Sequence, residues 1–370
     1  MAKRVVVLGS DATNLLNFRG TLIKEIADRG HQVIGIAPNI TTGVEESLRG
    51  LGARAVSIHL VRSNLNPAQD VAYMRRLESF FRKEKTDTLI AYTIKPVVWG
   101  SIAAHRAGTP DIVAMITGLG YAFIEGEEIK RRIAKAAAMF LYKRAFARCR
   151  AVMFQNIEDR DDFVKFGLVP IEKTKIIDGS GIDTARFQVV PVPEKPNFLM
   201  LARLLRDKGI EQYARAAKIV VNRYPDAKVR LAGPLDPSPN AISPADVQQW
   251  SEHSVEYVGP VSDVRPLIGR SSVYVLPSYR EGTPRSTLEA MSMGRAVVTT
   301  DVAGCRETVV DGHNGYLVPP RDHQALADAM VKFIVNPSLA NTMGARSREI
   351  AENRYDVRKV NRAILEIVRL

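Results

Sequence analysis

Residues 189–209 read VVPVPEKPNFLMLARLLRDKG. Pro191, Pro193 and Pro196 each fix φ and remove a backbone donor, so 189–196 reads as a linker. NFLMLAR (197–203), directly after it, has the apolar character of a strand buried on both faces. A linker followed by a fresh buried strand marks the start of a second domain, and the same alternation runs outward from it in both directions.

Upstream, VVVLG (5–9), HQVIGIA (31–37), ARAVSIHL (53–60), DTLIAY (87–92), DIVAMIT (111–117), AVMFQN (151–156) and KIIDG (175–179) read as buried strands. Helical patterns at 20–29, 68–84, 97–107 and 129–148 separate them. Downstream of NFLMLAR come KVRLAG (228–233), VEYVG (255–259), SVYVLPS (272–278), AVVTT (296–300) and GYLVP (315–319). Apolar strands alternating with helices imply parallel sheets covered on both faces. The expectation is an α/β chain of two Rossmann-like parallel-sheet domains facing across a cleft: 1–190, 191–352, and a terminal helix at 353–370 crossing back to the first. In open parallel sheets ligands bind beyond the carboxyl ends of the strands. GSDATN, after the first strand, lacks dinucleotide glycine spacing, which disfavours a dehydrogenase.

The 370 residues are 46% hydrophobic and 25% charged, the balance of a globular protein. No apolar run approaches the roughly 20 residues that span a bilayer. The apolar run in MAKRVVVLGSDATN is too short for a signal-peptide core. Cys149 and Cys305 match no metal spacing and are expected as reduced thiols in a cytoplasmic protein. The net charge of +12 is uneven: residues 1–190 hold 28 Lys/Arg against 20 Asp/Glu, and residues 191–370 hold 24 against 20. Such a balance suits an anionic partner. Nucleic acid is disfavoured because the basic residues lack interleaved aromatics or a binding module.

In PSYREGTPRSTLEAMSMG (277–294), Glu281 is placed after a strand, ahead of Gly282. Pro284 suits a first helical position, with Glu289 about one and a half turns into that helix. The helix N-terminus suits a phosphate, and carboxylates on either side accept from sugar hydroxyls. A nucleoside diphosphate with a sugar at each end fits this arrangement.

The longer run PSYREGTPRSTLEAMSMGRAVVTTDVAGCRETVVDGHNGYLVPPRD resembles the signature of the family 4 retaining glycosyltransferases of GT-B fold. ARLLRDKG (202–209), LAGP (231–234), VEYVG and SGID (180–183) match as well. NFRG (17–20), SNLNP (63–67), KP (95–96) and GLGYAF (118–123) are similar to the capsule and lipid-linked-oligosaccharide branch. That branch includes transferases adding N-acetylgalactosamine to undecaprenyl-diphosphate-linked diacetylbacillosamine. The resemblance implies a retaining transfer from a UDP-sugar to a polyprenyl-diphosphate-linked saccharide, at the inner face of the cell membrane. A nucleotide-sugar 2-epimerase of the same architecture is the alternative.

By the same resemblance, Glu289 binds the donor ribose and Glu281 the donor sugar. Gly282, Thr283, Pro284, Arg285, Ser286, Thr287 and Leu288 offer their backbone to sugar and phosphates. Arg203 and Lys208 grip the diphosphate, where fixed cations stabilise the leaving charge. Gly233 and Val261 border the nucleobase, although Gly233 also reads as a simple strand end. In the first half Gly9 and Ser10 lie at a strand end, Asn17 and Arg19 start the next helix, and Lys95 follows another strand. These face phosphate or acceptor, with a helix-surface role open for Arg19. Many relatives carry a His where this chain has Thr117, followed by Gly118. Front-face displacement, with the departing diphosphate accepting the proton, is therefore the expected mechanism. With no DxD-like pair or metal-ligand cluster in the sequence, neither cofactor nor metal is expected beyond the UDP-sugar co-substrate.

IKRRIAKAAAMFLYKRAFARCR (129–150) holds eight Lys/Arg and no acid. Ile129, Ile133, Phe140 and Leu141 give an apolar stripe. Such a helix either lies on an anionic membrane surface or packs that stripe onto its own domain.

Overall fold

The computed structural model describes residues 1–61, 66–118, 129–238 and 240–370; for 129–135 it describes the backbone path alone. The chain forms two compact units, Met1–Ser180 with Arg358–Leu370, and Gly181–Val357.

In unit 1 the strands are β1 (Arg4–Leu8), β2 (Gln32–Ala37), β3 (Ala53–Ser57), β4 (Thr88–Tyr92), β5 (Asp111–Ile116), β6 (Ala151–Phe154) and β7 (Thr174–Ile176). They form one sheet ordered β3-β2-β1-β4-β5-β6-β7 with every pairing parallel. Period-two geometry splits each strand between two layers. Val5 and Val7 join the core on one face, Val6 and Leu8 the core on the other, all 0% exposed. Burying each such side chain is worth about 1.5–3 kcal/mol, which is why these strands read as continuous apolar runs.

Unit 2 repeats the plan with β8 (Asn197–Leu201), β9 (Lys228–Ala232), β10 (Glu256–Gly259), β11 (Val273–Leu276), β12 (Ala296–Thr300) and β13 (Gly315–Val318). Its order is β10-β9-β8-β11-β12-β13, again all parallel. In both units the order reverses beside the first strand, so a topological switch point lies between β1 and β4 and between β8 and β11.

Three expected positions move. The division between units falls at Ser180/Gly181, ahead of the Pro-rich linker expected at 190. Ile182 and Phe187 belong to the unit 2 core, and Val190 and Val192 pack against it. Arg295, 0% exposed, holds the linker in place by donating to Val190 O (2.9 Å) and Pro191 O (3.1 Å). The terminal segment is split rather than continuous from 353. The helix Ser338–Arg354 stays with unit 2, while Val357–Val368 buries Val360, Ile364, Leu365 and Val368 in the core of unit 1.

The third shift lies in the first helix, Ala12–Asp28, which begins well before 20 because the Asp11 side chain accepts from Asn14 N (2.9 Å) and caps it. Asn17 and Arg19 consequently sit inside the helix rather than at its start.

Candidate active site

The site in unit 2 is assembled at the carboxyl ends of β8, β9 and β11. Arg203 and Lys208 lie on the loop after β8, and Glu281 on the loop after β11. Lys208 Nζ donates to Glu281 Oε1 at 2.6 Å, with side chains only 19% and 14% exposed.

Asp207 stitches these two loops together. Its carbonyl accepts from Tyr279 N (2.8 Å) and Ser278 Oγ (3.2 Å), and its carboxylate accepts from Asn240 Nδ2 (2.9 Å). Gly209, at φ +72°, approaches so closely that a Cβ would stand 2.0 Å from Pro277 O. A third loop closes beneath Glu281, whose N–H donates to Ala303 O (3.1 Å). Tyr279 is held by Gln212 Oε1 (2.6 Å) and lies under the Arg321 guanidinium.

The helix Arg285–Ser292 follows, with Pro284 as its extended N-cap and no side chain capping it. The helix therefore starts one residue later than expected, and Glu289 lies little more than one turn inside it. Burial raises the Glu289 carboxyl above its ordinary value despite Arg285, whose Nε donates to Glu289 Oε1 at 3.2 Å. Arg285 also reaches Gly181 O (3.3 Å). Tyr274 on β11 is buried with its hydroxyl 2.6 Å from Ser286 Oγ, fixing the first turn. Thr287 and Leu288 are fully buried, and their amides donate to Pro284 O at 3.1 and 3.2 Å. The backbone approach expected over 283–288 thus narrows to the residues ahead of Thr287.

Arg203 is 56% exposed and pairs with Asp236 at 3.0 Å. Burial raises the Asp236 carboxyl, but hydrogen bonds from Ser238 and the Arg203 charge outweigh it and hold the group low. Gly233 has φ +146°, and a Cβ there would meet Ala202 O at 1.8 Å. Its carbonyl accepts from Tyr257 Oη (2.9 Å), so the residue is needed where β8 and β9 end side by side. Val261 is half-buried after β10.

In unit 1, Gly9 and Ser10 lie at the end of β1. Ser10 Oγ accepts from Thr93 Oγ1 (2.9 Å), and Thr93 holds φ +66° at the end of β4, a strained setting for a β-branched residue. Gly9 is required by Tyr92, whose hydroxyl would stand 2.2 Å from a Cβ. Arg19 is 2% exposed and stacks over the Tyr92 ring at 5.2 Å, so it takes neither a helix-start nor a helix-surface position. Asn17 is exposed. Lys95 is tied to Asp70 (2.7 Å) and Val61 O (2.8 Å). Thr117 and Gly118 follow β5, half-buried. The rest of GLGYAF and most of SNLNP lie outside the described residues.

Sequence reading missed Asp207, Asp236, Tyr274 and Thr93. Tyr274 looks like one more apolar strand residue, and the others carry no local signature, because their partners come from distant loops.

Among the described side chains of 129–150, Tyr142, Phe146 and Cys149 join the core of unit 1, Ala145 is buried, and Leu141 of the expected stripe packs against that core; the side chains of Ile129 and Ile133 lie outside those described. Phe140, expected within that stripe, is 58% exposed, with Arg144 over its ring at 4.9 Å. No helix among the described residues is long and apolar enough to cross a membrane.

Comparison with known proteins identifies the family. A model described as "Glycosyl transferase 4-like" matches residues 5–156, and one described as "Glycosyl transferases group 1" matches 195–336. The chain is 26% identical, over 91% of its length and 90% of the relative's, to the N,N'-diacetylbacillosaminyl-diphospho-undecaprenol alpha-1,3-N-acetylgalactosaminyltransferase of Campylobacter jejuni. It is 25% identical, over 83% and 81%, to the UDP-Gal:alpha-D-GlcNAc-diphosphoundecaprenol alpha-1,3-galactosyltransferase of Escherichia coli. Its fold matches a sucrose-phosphate synthase from Thermosynechococcus elongatus, with TM-score 0.81, 18% identity and coverage of 100% and 98%. It also matches Anabaena HepE in complex with UDP-glucose, with TM-score 0.78, 19% identity and coverage of 98% of each chain. With two glycosyltransferase models matching residues 5–156 and 195–336, the chain belongs to the glycosyltransferases, and its two parallel-sheet units have the GT-B fold.

Proposed function

We propose that the chain transfers a sugar from a UDP-sugar to a polyprenyl-diphosphate-linked saccharide, with retention of configuration, at an anionic membrane surface. The observation that carries this reading is the Lys208–Glu281 pair at the switch point of unit 2, with half-buried Glu289 on the helix beyond it. Glu289 accepts from the donor ribose, and Glu281 from the donor sugar. Lys208 and Arg203 meet the charge that develops on the departing diphosphate, so that role falls to fixed side chains.

An acceptor hydroxyl attacks the anomeric carbon on the face the diphosphate leaves. The C1–O bond to the β-phosphate breaks, a C1–O bond to the acceptor forms, and the acceptor proton passes to the leaving phosphate oxygen. The products are UDP and the extended saccharide. Acceptor binding falls to unit 1, through Ser10, Lys95 and Thr117. The relatives named above act on undecaprenol-diphosphate-linked saccharides, which supports a lipid-linked acceptor for this chain. Exposed Phe140, one helical turn ahead of the cationic Lys143 and Arg144, supports membrane contact through 129–150.

The test is UDP release from a panel of UDP-hexoses and UDP-N-acetylhexosamines, with and without an undecaprenyl-diphosphate-linked sugar. Acceptor-dependent release of UDP is the expected result. Interconversion of UDP-sugars without acceptor would favour the epimerase, and absence of nucleotide binding would overturn both.

A further inference from the structure

The helix Pro67–Glu84 has two contrasting faces. Asp70, Tyr73, Met74, Leu77 and Phe81 are buried against the sheet of unit 1. At helical spacing on the other side, Arg75, Arg76, Ser79, Arg82 and Lys83 are exposed. This outer face borders two shallow depressions of about 540 and 550 Å³. Arg75, Glu78, Ser79, Arg82 and Lys83 line the first. The second shares Ser79 and Lys83 and adds Arg76, His59 and Phe80.

Glu78 is the one carboxylate lining either depression, and it is already engaged by Arg82 (3.0 Å) and Arg106 (3.8 Å). Among the described residues Arg75, Arg76 and Lys83 make no ion pair within 4.0 Å, although the Lys83 charge acts on neighbouring Glu84. Three cations outside any close ion pair on one helix face match an array of negative charge spread over a plane. The aromatic nearby, Phe80, lies under the Arg54 guanidinium at 5.9 Å and is not offered for base stacking, which argues against single-stranded nucleic acid.

We infer that this face docks on anionic phospholipid headgroups, whose phosphates enter the two depressions. The choice of a bilayer as occupant rests on the lipid-linked acceptor proposed above. The surface is separate in sequence from the Phe140 helix and adds a second point of attachment. A cation near an anionic membrane contributes about 1 kcal/mol, so removing three lowers partitioning about a hundredfold.

The experiment is flotation of the full chain with phosphatidylcholine vesicles, with and without phosphatidylglycerol. The triple variant Arg75→Ser/Arg76→Ser/Lys83→Ser is compared with the parent, and Lys83→Glu alone serves as a milder second variant. The parent is expected to float only with phosphatidylglycerol, the triple variant to lose about a hundredfold in partitioning, and Lys83→Glu to lose part of it. Equal partitioning of parent and triple variant overturns the inference, as does parent binding that ignores phosphatidylglycerol or prefers duplex DNA to the vesicles. UDP release with a short-chain, water-soluble diphosphate-linked acceptor is read separately. Its absence in the parent overturns the transferase reading, while flotation decides the surface in either case.

Discussion

Lys208 Nζ stands 2.6 Å from Glu281 Oε1, although the two residues leave different strands 73 positions apart. A half-buried cation paired with a carboxylate is fixed in position by that pair, which suits it to the proposed role of meeting a diphosphate. Lys208→Ala should lower turnover by about 10²–10³, the loss that follows removal of one group stabilising developing charge. Glu281→Ala should also lose turnover while staying folded, and the double variant should lose less than the product of the two single effects. A double-mutant cycle on UDP release checks this, and strictly multiplicative losses would refute the coupling.

The raised Glu289 carboxyl gives a signed pH dependence. A folded state that holds the proton more tightly than the unfolded chain loses stability as pH rises above the ordinary carboxyl value of 4.5. Glu289→Gln should therefore flatten the fall in melting temperature above that value. Its UDP-sugar affinity should drop, because the amide is a poorer acceptor for ribose hydroxyls than the carboxylate. Thermal melts across pH, with and without UDP, separate the two effects.

Arg295 is a buried cation held by main-chain oxygens. It donates to Ile268 O (3.0 Å), Gly269 O (3.2 Å), Val190 O, Pro191 O, Met293 O (3.1 Å) and Gly294 O (3.3 Å). Burial depresses its pKa to about 10. Lysine has three donors against the five of arginine and no planar fork. Arg295→Lys should destabilise unit 2 by about 2–4 kcal/mol through carbonyls left unsatisfied. Urea unfolding followed by protease susceptibility of residues 185–196 reads it; an unchanged midpoint would contradict it.

Phe140 is exposed on a basic helix. Phe140→Ser should weaken binding to anionic vesicles by about tenfold or more, since inserting a phenyl group contributes about 1.5–3 kcal/mol. Flotation with the Arg75 face intact measures it, and no change would remove this helix from the membrane contact.

Gly233→Ala should be destabilising and should disturb donor affinity. The new Cβ meets Ala202 O and occupies a left-handed φ. A melting temperature equal to the parent's would show that the two strand ends separate freely.

From sequence alone the thirteen strands, their parallel arrangement and the two-unit plan were legible, since strands buried on both faces must be written in apolar residues and separated by helices. The loops bearing Arg203, Lys208 and Glu281, and the helix bearing Glu289, were legible too, as offsets from strand ends. Which partners those side chains take was not. Asp207 joining two loops, Asp236 on Arg203, Tyr274 beneath Ser286 and the strained Thr93 on Ser10 are contacts between distant segments, and local periodicity carries no trace of them. The same holds for the burial of Arg19, for the outward turn of Phe140, and for the linker that Arg295 fastens to unit 2. Periodicity reports whether a residue faces a core; only the folded chain decides which buried group its polar atoms must satisfy.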